Sequence, residues 1–160
     1  RGKSGGVITT KDIEQDTEFY ILAGYEQSDA EDKAVEYMLQ RDATYQRAIA
    51  VGYSVSDDEI NDYLDDLKVT INDSINSEEA QALISQFGSE EEYWQHESEV
   101  YKINLPIEKY LESLKQEYLQ NSISTQSNNQ EAEETIENYN RYIEEVQLEL
   151  VKQEQYEIFE

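Results

Sequence analysis

The chain has 160 residues, of which 37 are acidic and 12 basic, so it carries a formal net charge of −25. Nucleic acids and anionic membrane surfaces are bound by clustered Lys and Arg, whereas the basic residues here are few and scattered, which excludes both kinds of partner. The chain has no Cys, and this excludes disulfides, thiolate zinc sites and cysteine nucleophiles.

Tyrosine dominates the aromatic residues, with 13 Tyr against 3 Phe and 1 Trp. A tyrosine ring is apolar while its hydroxyl prefers a polar partner, so we expect a modest core with an amphipathic rim. Six glycines and one proline favour long helices over a turn-rich β-sandwich. The predicted fold class is therefore all-α.

The N-terminal residues are predicted to be a leader followed by a helix. Residues 1–9 hold three glycines and are expected to be flexible, as a tether or, equally, an expression scar would be. The chain begins at Arg1 without Met, which favours a processed product with a signal peptide or lipid anchor upstream. Helical spacing of apolar residues predicts a first helix over residues 10–25, capped by Thr9 or Thr10.

Two further helices are predicted from capping boxes, in which a hydroxyl and a carboxylate three residues later satisfy each other's backbone N–H groups. Ser28 and Glu31 predict the start of a second helix that ends at Gly52. Ser56 and Glu59 predict the start of a third helix. Its apolar stripe is the cleanest in the chain and comprises Ile60, Leu64, Leu67, Ile71 and Ile75.

A short fourth helix is predicted over residues 77–88, and a long fifth helix follows it. The fifth begins at a third capping box, Ser89 with Glu92. Pro106 lies inside its apolar pattern, and because a proline removes a backbone donor we expect a kink or a split near Leu105.

The C-terminal part is predicted to be a linker followed by one helix. Residues 120–130 are uncharged with one apolar residue, and are typical of an exposed linker. A last helix is predicted over residues 131–157. Its heptad-like stripe comprises Ile136, Tyr139, Ile143, Val146 and Leu150. Packing on the same chain and binding to another protein both fit this stripe.

The sequence offers little for catalysis or metal binding. His96 is the only histidine and lies one turn after Glu92, and two ligands do not make a metal site, so we interpret it as solvated. The acidic residues of the third helix keep helical periodicity rather than the alternation of a calcium loop, and favour a solvated face. These residues are Asp57, Asp58, Glu59, Asp62, Asp65 and Asp66. No metal and no cofactor are predicted.

Three stretches, taken in order, resemble the N-terminal chaperone domain of the SurA and PrsA foldases. Residues 8–14 (ITTKDIE) resemble an "ITKxxFE" helix opening, and residues 48–60 (AIAVGYSVSDDEI) resemble "A…GxxVSDEEI". Residues 87–94 (FGSEEEYW) resemble "G(S/T)EEEFW", followed by a helix that ends near residues 107–111. The resemblance covers roughly residues 7–119 and implies a SurA N-terminal-like multi-helix domain over residues 10–119.

The resemblance also implies how the rest of the chain is organised. In that family a parvulin-type prolyl isomerase domain is commonly inserted before a last helix that returns to the chaperone lobe. The linker at residues 120–130 falls at this position and is too short for such a domain, so no isomerase activity is expected. Residues 131–160 would then supply the long C-terminal helix that packs back on the lobe.

The function that the resemblance implies is non-catalytic binding of unfolded or extended polypeptides outside the cytoplasm, by a secreted or lipid-anchored protein. Such a lobe holds clients in an amphipathic cleft, for which tyrosine offers ring area and a hydroxyl at low entropic cost. The candidate client-binding aromatics are Tyr20, Tyr25, Tyr37, Tyr45, Tyr93, Trp94, Tyr101, Tyr110 and Tyr118. Ordinary core or rim packing is the alternative for each of them. The net charge favours basic or amphipathic clients, bound in a salt-dependent way.

Two other functions fit the same sequence. An acidic helical scaffold would use its helices and heptad-like tail to bind one dedicated protein partner, or a second copy of itself. An enzyme that uses clustered carboxylates is the third hypothesis, and a stoichiometric divalent cation would favour it.

Overall fold

The computed structural model describes residues 1–73, 84–85, 87–123 and 131–159, and it is all-helical, as predicted. The described helices are α1 (Thr10–Leu22), α2 (Gln27–Ala50), α3 (Asp57–Asp73), α4 (Glu90–Ile123) and α5 (Glu131–Glu154). The helix predicted over residues 77–88 lies almost entirely outside the described residues.

Helix α2 is the centre of the fold, since α1, α4 and α5 all pack on it, while α3 packs on α4. The first core lies between α2, α4 and α5 and contains the buried residues Ala43, Ala48, Tyr110 and Leu150. The second core lies between α3 and α4 and contains the buried residues Ile60, Leu64 and Leu105. The molecule therefore has two small cores that share α4.

The predicted N-cap at Thr9 is confirmed, where it forms a capping box with Asp12, and so is the predicted capping box at Ser56. Thr9 Oγ1 accepts a hydrogen bond from Asp12 N (3.2 Å), and Asp12 Oδ2 accepts one from Thr9 N (2.8 Å). Ser56 Oγ accepts from Glu59 N (3.2 Å), and Glu59 Oε2 accepts from Ser56 N (2.9 Å). At the third box, Ser89 Oγ accepts from the backbone N–H three residues later at 3.1 Å. Each pairing spans three residues, which is why the local sequence predicts it.

The predicted bounds of the first two helices need correction. Helix α1 ends at Leu22 rather than at residue 25, because Gly24 adopts a left-handed backbone conformation (φ +96°) that an α-helix cannot continue through. Ser28 is not the cap of α2: the N-cap is Glu26, which makes no side-chain capping hydrogen bond, and Ser28 lies inside the first turn. The uncapped α2 packs against α1.

Pro106 does not split the long helix, contrary to one of the two expected outcomes. Helix α4 runs unbroken from Glu90 to Ile123, and the proline ring is fully buried. The neighbouring Leu105 is buried in the second core. Burial of these two apolar side chains offsets the hydrogen bond that proline cannot make.

The predicted linker starts too early and the last helix ends earlier than expected. Helix α4 continues to Ile123, so the first residues of the segment 120–130 are helical, and residues 124–130 lie outside the described residues. Helix α5 ends at Glu154, and Gln155 has a positive φ of 50°. A positive φ at a residue other than glycine breaks helical geometry and explains this end.

The stripe of the last helix packs on the same chain. Leu150 is buried in the first core with Val146 against it. Tyr139 donates a hydrogen bond from its hydroxyl to the backbone oxygen of Leu111 on α4 (3.3 Å). Ile136, in contrast, is 61% exposed. The C-terminal half of the stripe is therefore a packing surface within the chain.

Residues 1–6 are bound to the C-terminal segment, although the sequence predicts a flexible leader. Lys3 N donates to Glu154 O (2.7 Å), and Ser4 donates from N and Oγ to the two carboxylate oxygens of Glu154 (2.8 and 2.6 Å). The glycines that suggested flexibility make the tight turn: Gly2 N donates to Gly6 O (2.9 Å), and both glycines are buried.

Candidate functional site

The nine predicted client-binding aromatics do not line one cleft; they lie in several separate places. Two of them are core residues, because Tyr93 is buried beside the start of α4 and Tyr110 is part of the first core. For these two residues the structural role, which was the alternative interpretation, accounts for their position.

Trp94 and Tyr101 pack over the second core. The Trp94 ring makes an edge contact with Tyr93 (4.9 Å between centroids), and Tyr101 lies 4.5 Å from the ring of Tyr63. Burial, with help from the Tyr63 hydroxyl, raises the pKa of Tyr101 above its usual range. These rings are partners of one another and cover α3, so they offer little free surface.

Tyr118 and Tyr45 lie in two further places. Tyr118 stacks on Tyr142 (5.3 Å) and contacts Tyr139 (5.7 Å), where α4 meets α5. Tyr45 lines a groove of about 400 Å³ between the N-terminal segment and α2, together with Met38 and Ile103.

Tyr20 and Tyr25 lie near the turn that joins α1 to α2, and Tyr37 on α2 lines the same recess as Tyr20. Tyr20 makes edge contacts with Phe19 (5.8 Å) and Tyr25 (5.7 Å). A recess of about 330 Å³ is lined by Asp16, Phe19, Tyr20 and Tyr37, and we call these four residues the aromatic recess. Phe19 is 66% exposed and Tyr37 is 43% exposed, so solvent reaches the rings.

Sequence reasoning identified Tyr20 and Tyr37 but missed Phe19 and Asp16. Asp16 precedes Tyr20 by four residues and Phe19 by three, so the helix places all three on neighbouring positions of one surface. That spacing was the available signal. The position of Tyr37 beside them depends on how α2 packs on α1, which the spacing does not contain.

The carboxylate of Asp16 is the most unusual polar group of the recess. Its Oδ2 atom is buried and has no hydrogen-bond partner in the part of the chain that the structure describes. Burial raises the pKa of the Asp16 carboxyl, and the charge of Arg41 opposes this rise. Burial and the charge of Asp16 also raise the pKa of the Tyr20 hydroxyl, with a smaller contribution from Glu36. The recess is therefore aromatic and electronegative.

A second groove begins at Tyr37 and follows α2 away from the recess. It measures about 290 Å³ and lies between α2, α4 and α5. Arg41 crosses it and donates from Nε to Asn104 Oδ1 (3.1 Å). We call this the α2 groove, and its lining residues are Tyr37, Gln40, Arg41, Asn104, Ile107, Glu108, Leu111 and Gln147. Because Tyr37 belongs to both, the recess and the groove adjoin each other at this residue.

The other residues that the sequence singled out show no convergence on a reactive centre. His96 is exposed, as predicted, and its ring lies 5.5 Å from that of Phe87. Within the described residues, no group of three or more His, Asp or Glu side chains is placed to hold a metal ion. None of the helices in the described ranges is long and apolar enough to cross a membrane.

Comparison with known proteins gives no relative from which a function could be transferred. No family model matches the sequence, and no curated protein and no solved structure matches it either. The aromatic recess and the α2 groove are therefore the features from which a function can be inferred.

Proposed function

We propose that this protein is a non-catalytic, chaperone-like module that binds unfolded or extended polypeptides. The observation that supports the proposal is the adjoining recess and groove, in which aromatic rings remain open to solvent beside amide and charged side chains. Exposed aromatic surface that is bordered by polar groups is typical of protein-binding sites.

The chemistry of the surface suits an extended chain. Rings such as Phe19 and Tyr37 supply contact area to many side chains at low entropic cost. Gln40 and Gln147 donate from Nε2 to Glu36 and to Thr44 Oγ1, and Asn104 Oδ1 accepts from Arg41. Each of these three amides keeps its other polar end for a peptide backbone. The grooves are shallow, so a client would be held without full desolvation and could be released.

The likeness to SurA and PrsA foldases stays part of the proposal, as does a location outside the cytoplasm. The three stretches that carry the likeness lie at the start of α1, at the turn from α2 to α3, and at the start of α4. In this proposal the protein works without an isomerase domain, and its many carboxylates keep it soluble while it holds an aggregation-prone client.

Light scattering of a chemically unfolded, aggregation-prone protein tests the function. We expect the full chain to suppress scattering well beyond an equally acidic helical protein, and added salt to weaken the suppression of basic clients. The double variant Phe19→Ala and Tyr37→Ala should lose most of this effect. Phe159→Ala is the matched control, because Phe159 is 69% exposed but lies outside the recess. Suppression no better than that of the acidic protein would contradict the proposal.

A scaffold with one dedicated partner is the second candidate, and a different surface favours it. Ile136 and Leu148 are exposed on α5, and Ile158 and Phe159 are exposed in the segment after it. Unpartnered apolar side chains near one end of a chain fit a fixed docking partner. Co-purification of the same protein at constant stoichiometry, abolished by Leu148→Ser but not by Tyr37→Ala, would favour the scaffold over the chaperone.

A further inference from the structure

We propose that the aromatic recess binds the cationic side chain of an arginine or lysine in the polypeptide that the α2 groove holds. This inference rests on the proposed function and deepens it, because it assigns a ligand chemistry to one end of the same surface.

The walls of the recess are suited to a cation. The face of an aromatic ring attracts an ammonium or guanidinium group within about 6 Å of its centroid. Three rings, those of Phe19, Tyr20 and Tyr37, line the recess. The neighbouring Tyr25, which contacts Tyr20, already carries Lys33 Nζ at 5.0 Å from its ring centroid. The aromatic cluster thus binds one cation of its own chain at its edge.

Within the described residues, one oxygen of the Asp16 carboxylate has no hydrogen-bond donor. An ionised carboxylate only accepts hydrogen bonds, and a buried acceptor without a partner destabilises the site that contains it. Arg41 acts on Asp16 through its charge, but its Nε hydrogen bond goes to Asn104, and Asp16 Oδ2 stays without a partner in the described structure. Asp16 lines the recess, so its negative charge would attract a ligand ammonium or guanidinium group there, whereas it would not attract an aliphatic or acidic side chain.

The surrounding charge selects the same ligand. Glu36 adds a second negative charge that acts on Tyr20, and the chain as a whole carries −25. A field of this sign raises the local concentration of basic segments and repels acidic ones. Charge complementarity therefore favours arginine and lysine over every other side chain.

The position of the recess favours a residue of a polypeptide over a free small cation. At about 330 Å³ the recess lies at the lower end of the size range of ligand sites, roughly 300–1,000 Å³, which suits a single side chain. It adjoins the α2 groove at Tyr37, and the groove has room for the neighbouring residues of an extended chain. Arg41 in that groove would repel a second cation and donate to backbone oxygens, so we expect one basic residue to be anchored.

A pair of labelled peptides tests the inference on the full chain by fluorescence anisotropy. The first peptide alternates Leu and Ser around one central arginine, and the second carries citrulline there, which keeps the shape of the side chain but removes its charge. We expect the arginine peptide to bind about tenfold more tightly, as cation–π and charge-assisted contacts predict. Equal affinities for the two peptides would overturn the inference.

Two variants locate the effect and two matched controls check it. Asp16→Asn and Phe19→Ala should each remove most of the preference for arginine. Asp58→Asn makes the same charge change in the first turn of α3, and Phe159→Ala removes a similarly exposed ring; both should keep the preference. Preserved arginine preference in Asp16→Asn, with an unchanged circular dichroism spectrum, would place the cation elsewhere and overturn the inference.

The remaining arms separate the sources of the cation and the two proposals. Free arginine amide should displace the arginine peptide only at concentrations far above the dissociation constant of the peptide. Displacement at equal concentration would make the recess a small-cation site and overturn the polypeptide as its source. Binding of both peptides with equal affinity leaves the proposed function standing without the inference, whereas failure of both to bind contradicts the two together.

Discussion

The α3–α4 pair and the α1–α2 pair both carry aromatic side chains, but the rings of the first pair pack over a core, whereas Phe19 and Tyr37 of the second pair are exposed. Between α3 and α4, branched residues such as Ile60 and Leu64 form a core, and Tyr63, Trp94 and Tyr101 close over it. Aromatic rings there complete a surface that the helices cannot cover alone.

Between α1 and α2 the buried residues are small. Thr17 on α1 and Ala30 and Ala34 on α2 are buried, and the Thr17 hydroxyl returns to the backbone oxygen of Ile13 (2.8 Å). Small side chains let two helices approach closely, which leaves no room for rings between them. Phe19 and Tyr37 are therefore displaced to the edge. The size of the interface residues, and not the number of aromatic residues, therefore decides which of the two helix pairs has exposed rings.

The largest expected effect comes from the buried core of the α3–α4 pair. Ile60→Ala leaves a cavity among Leu64 and Leu105 and should lower the free energy of unfolding by about 2–5 kcal/mol, measured by urea denaturation. Phe19→Ala removes a larger side chain from the recess, yet it should change stability by less than about 0.5 kcal/mol because the ring is exposed. Comparable losses in the two variants would contradict the contrast between the two pairs.

A smaller effect is expected from filling the close interface of the α1–α2 pair. Ala34→Leu forces the two helices apart, and should lower the free energy of unfolding by about 1–3 kcal/mol. The same change should weaken peptide binding, because it moves Phe19 and Tyr20 away from Tyr37. Ala50→Leu is the matched control, since Ala50 is exposed at the end of α2. A stable Ala34→Leu variant that binds peptide normally would show that close packing does not set the recess.

Substitution of the Glu59 and Asp16 carboxylates should have the smallest effects on the free energy of unfolding. At pH 7 the two changes should have opposite signs. In the α3–α4 region the Lys109 ammonium, followed by the N–H and hydroxyl of Ser56, lowers the pKa of Glu59 from 4.5 to about 2. The folded-state pKa lies below the unfolded value, so this stabilisation is present above pH 4.5 and is lost as the pH falls towards about 2. Glu59→Gln should therefore lower the free energy of unfolding at pH 7 and lose this effect near pH 2.

Asp16 should behave in the reverse way. Burial raises its pKa above the unfolded value of 3.8, so the folded chain binds this proton more tightly than the unfolded chain does. The stabilisation is then complete below pH 3.8 and is lost as the pH rises through the folded-state pKa. Asp16→Asn should raise the free energy of unfolding at pH 7 and gain nothing below pH 3.8. Changes of the same sign at pH 7 in Asp16→Asn and Glu59→Gln would refute this comparison.

The sequence predicts the helices well because their signals are local. Thr9 caps α1 and the box at Ser56 forms, both as predicted, and each involves residues three apart in the sequence. Ser28 has the same local pattern and caps nothing, because the path of the chain out of α1 starts α2 two residues earlier, at Glu26. A local sequence pattern identifies residues that can cap a helix, but the packing of neighbouring helices decides which of them do.

The candidate site is less predictable because it depends on helix packing. Tyr93 and Tyr37 both lie at helical positions rich in acidic neighbours, yet one is buried and the other is open. Their difference follows from which helix faces them, and the sequence pattern does not contain that. Asp16 was missed because its spacing from Phe19 and Tyr20 does not show that its Oδ2 atom is buried.

Chemical-shift mapping shows where the arginine peptide binds, because it follows the backbone amide signals of the full chain during a titration with that peptide. The account predicts saturable shifts at residues 16–20 and at 36–41, with the signals of α3 unchanged. It also predicts that Asp16→Asn abolishes these shifts at the same peptide concentrations. Shifts confined to the α3–α4 region, or no shifts at any peptide concentration, would contradict the claim that the aromatic recess and the α2 groove bind polypeptides.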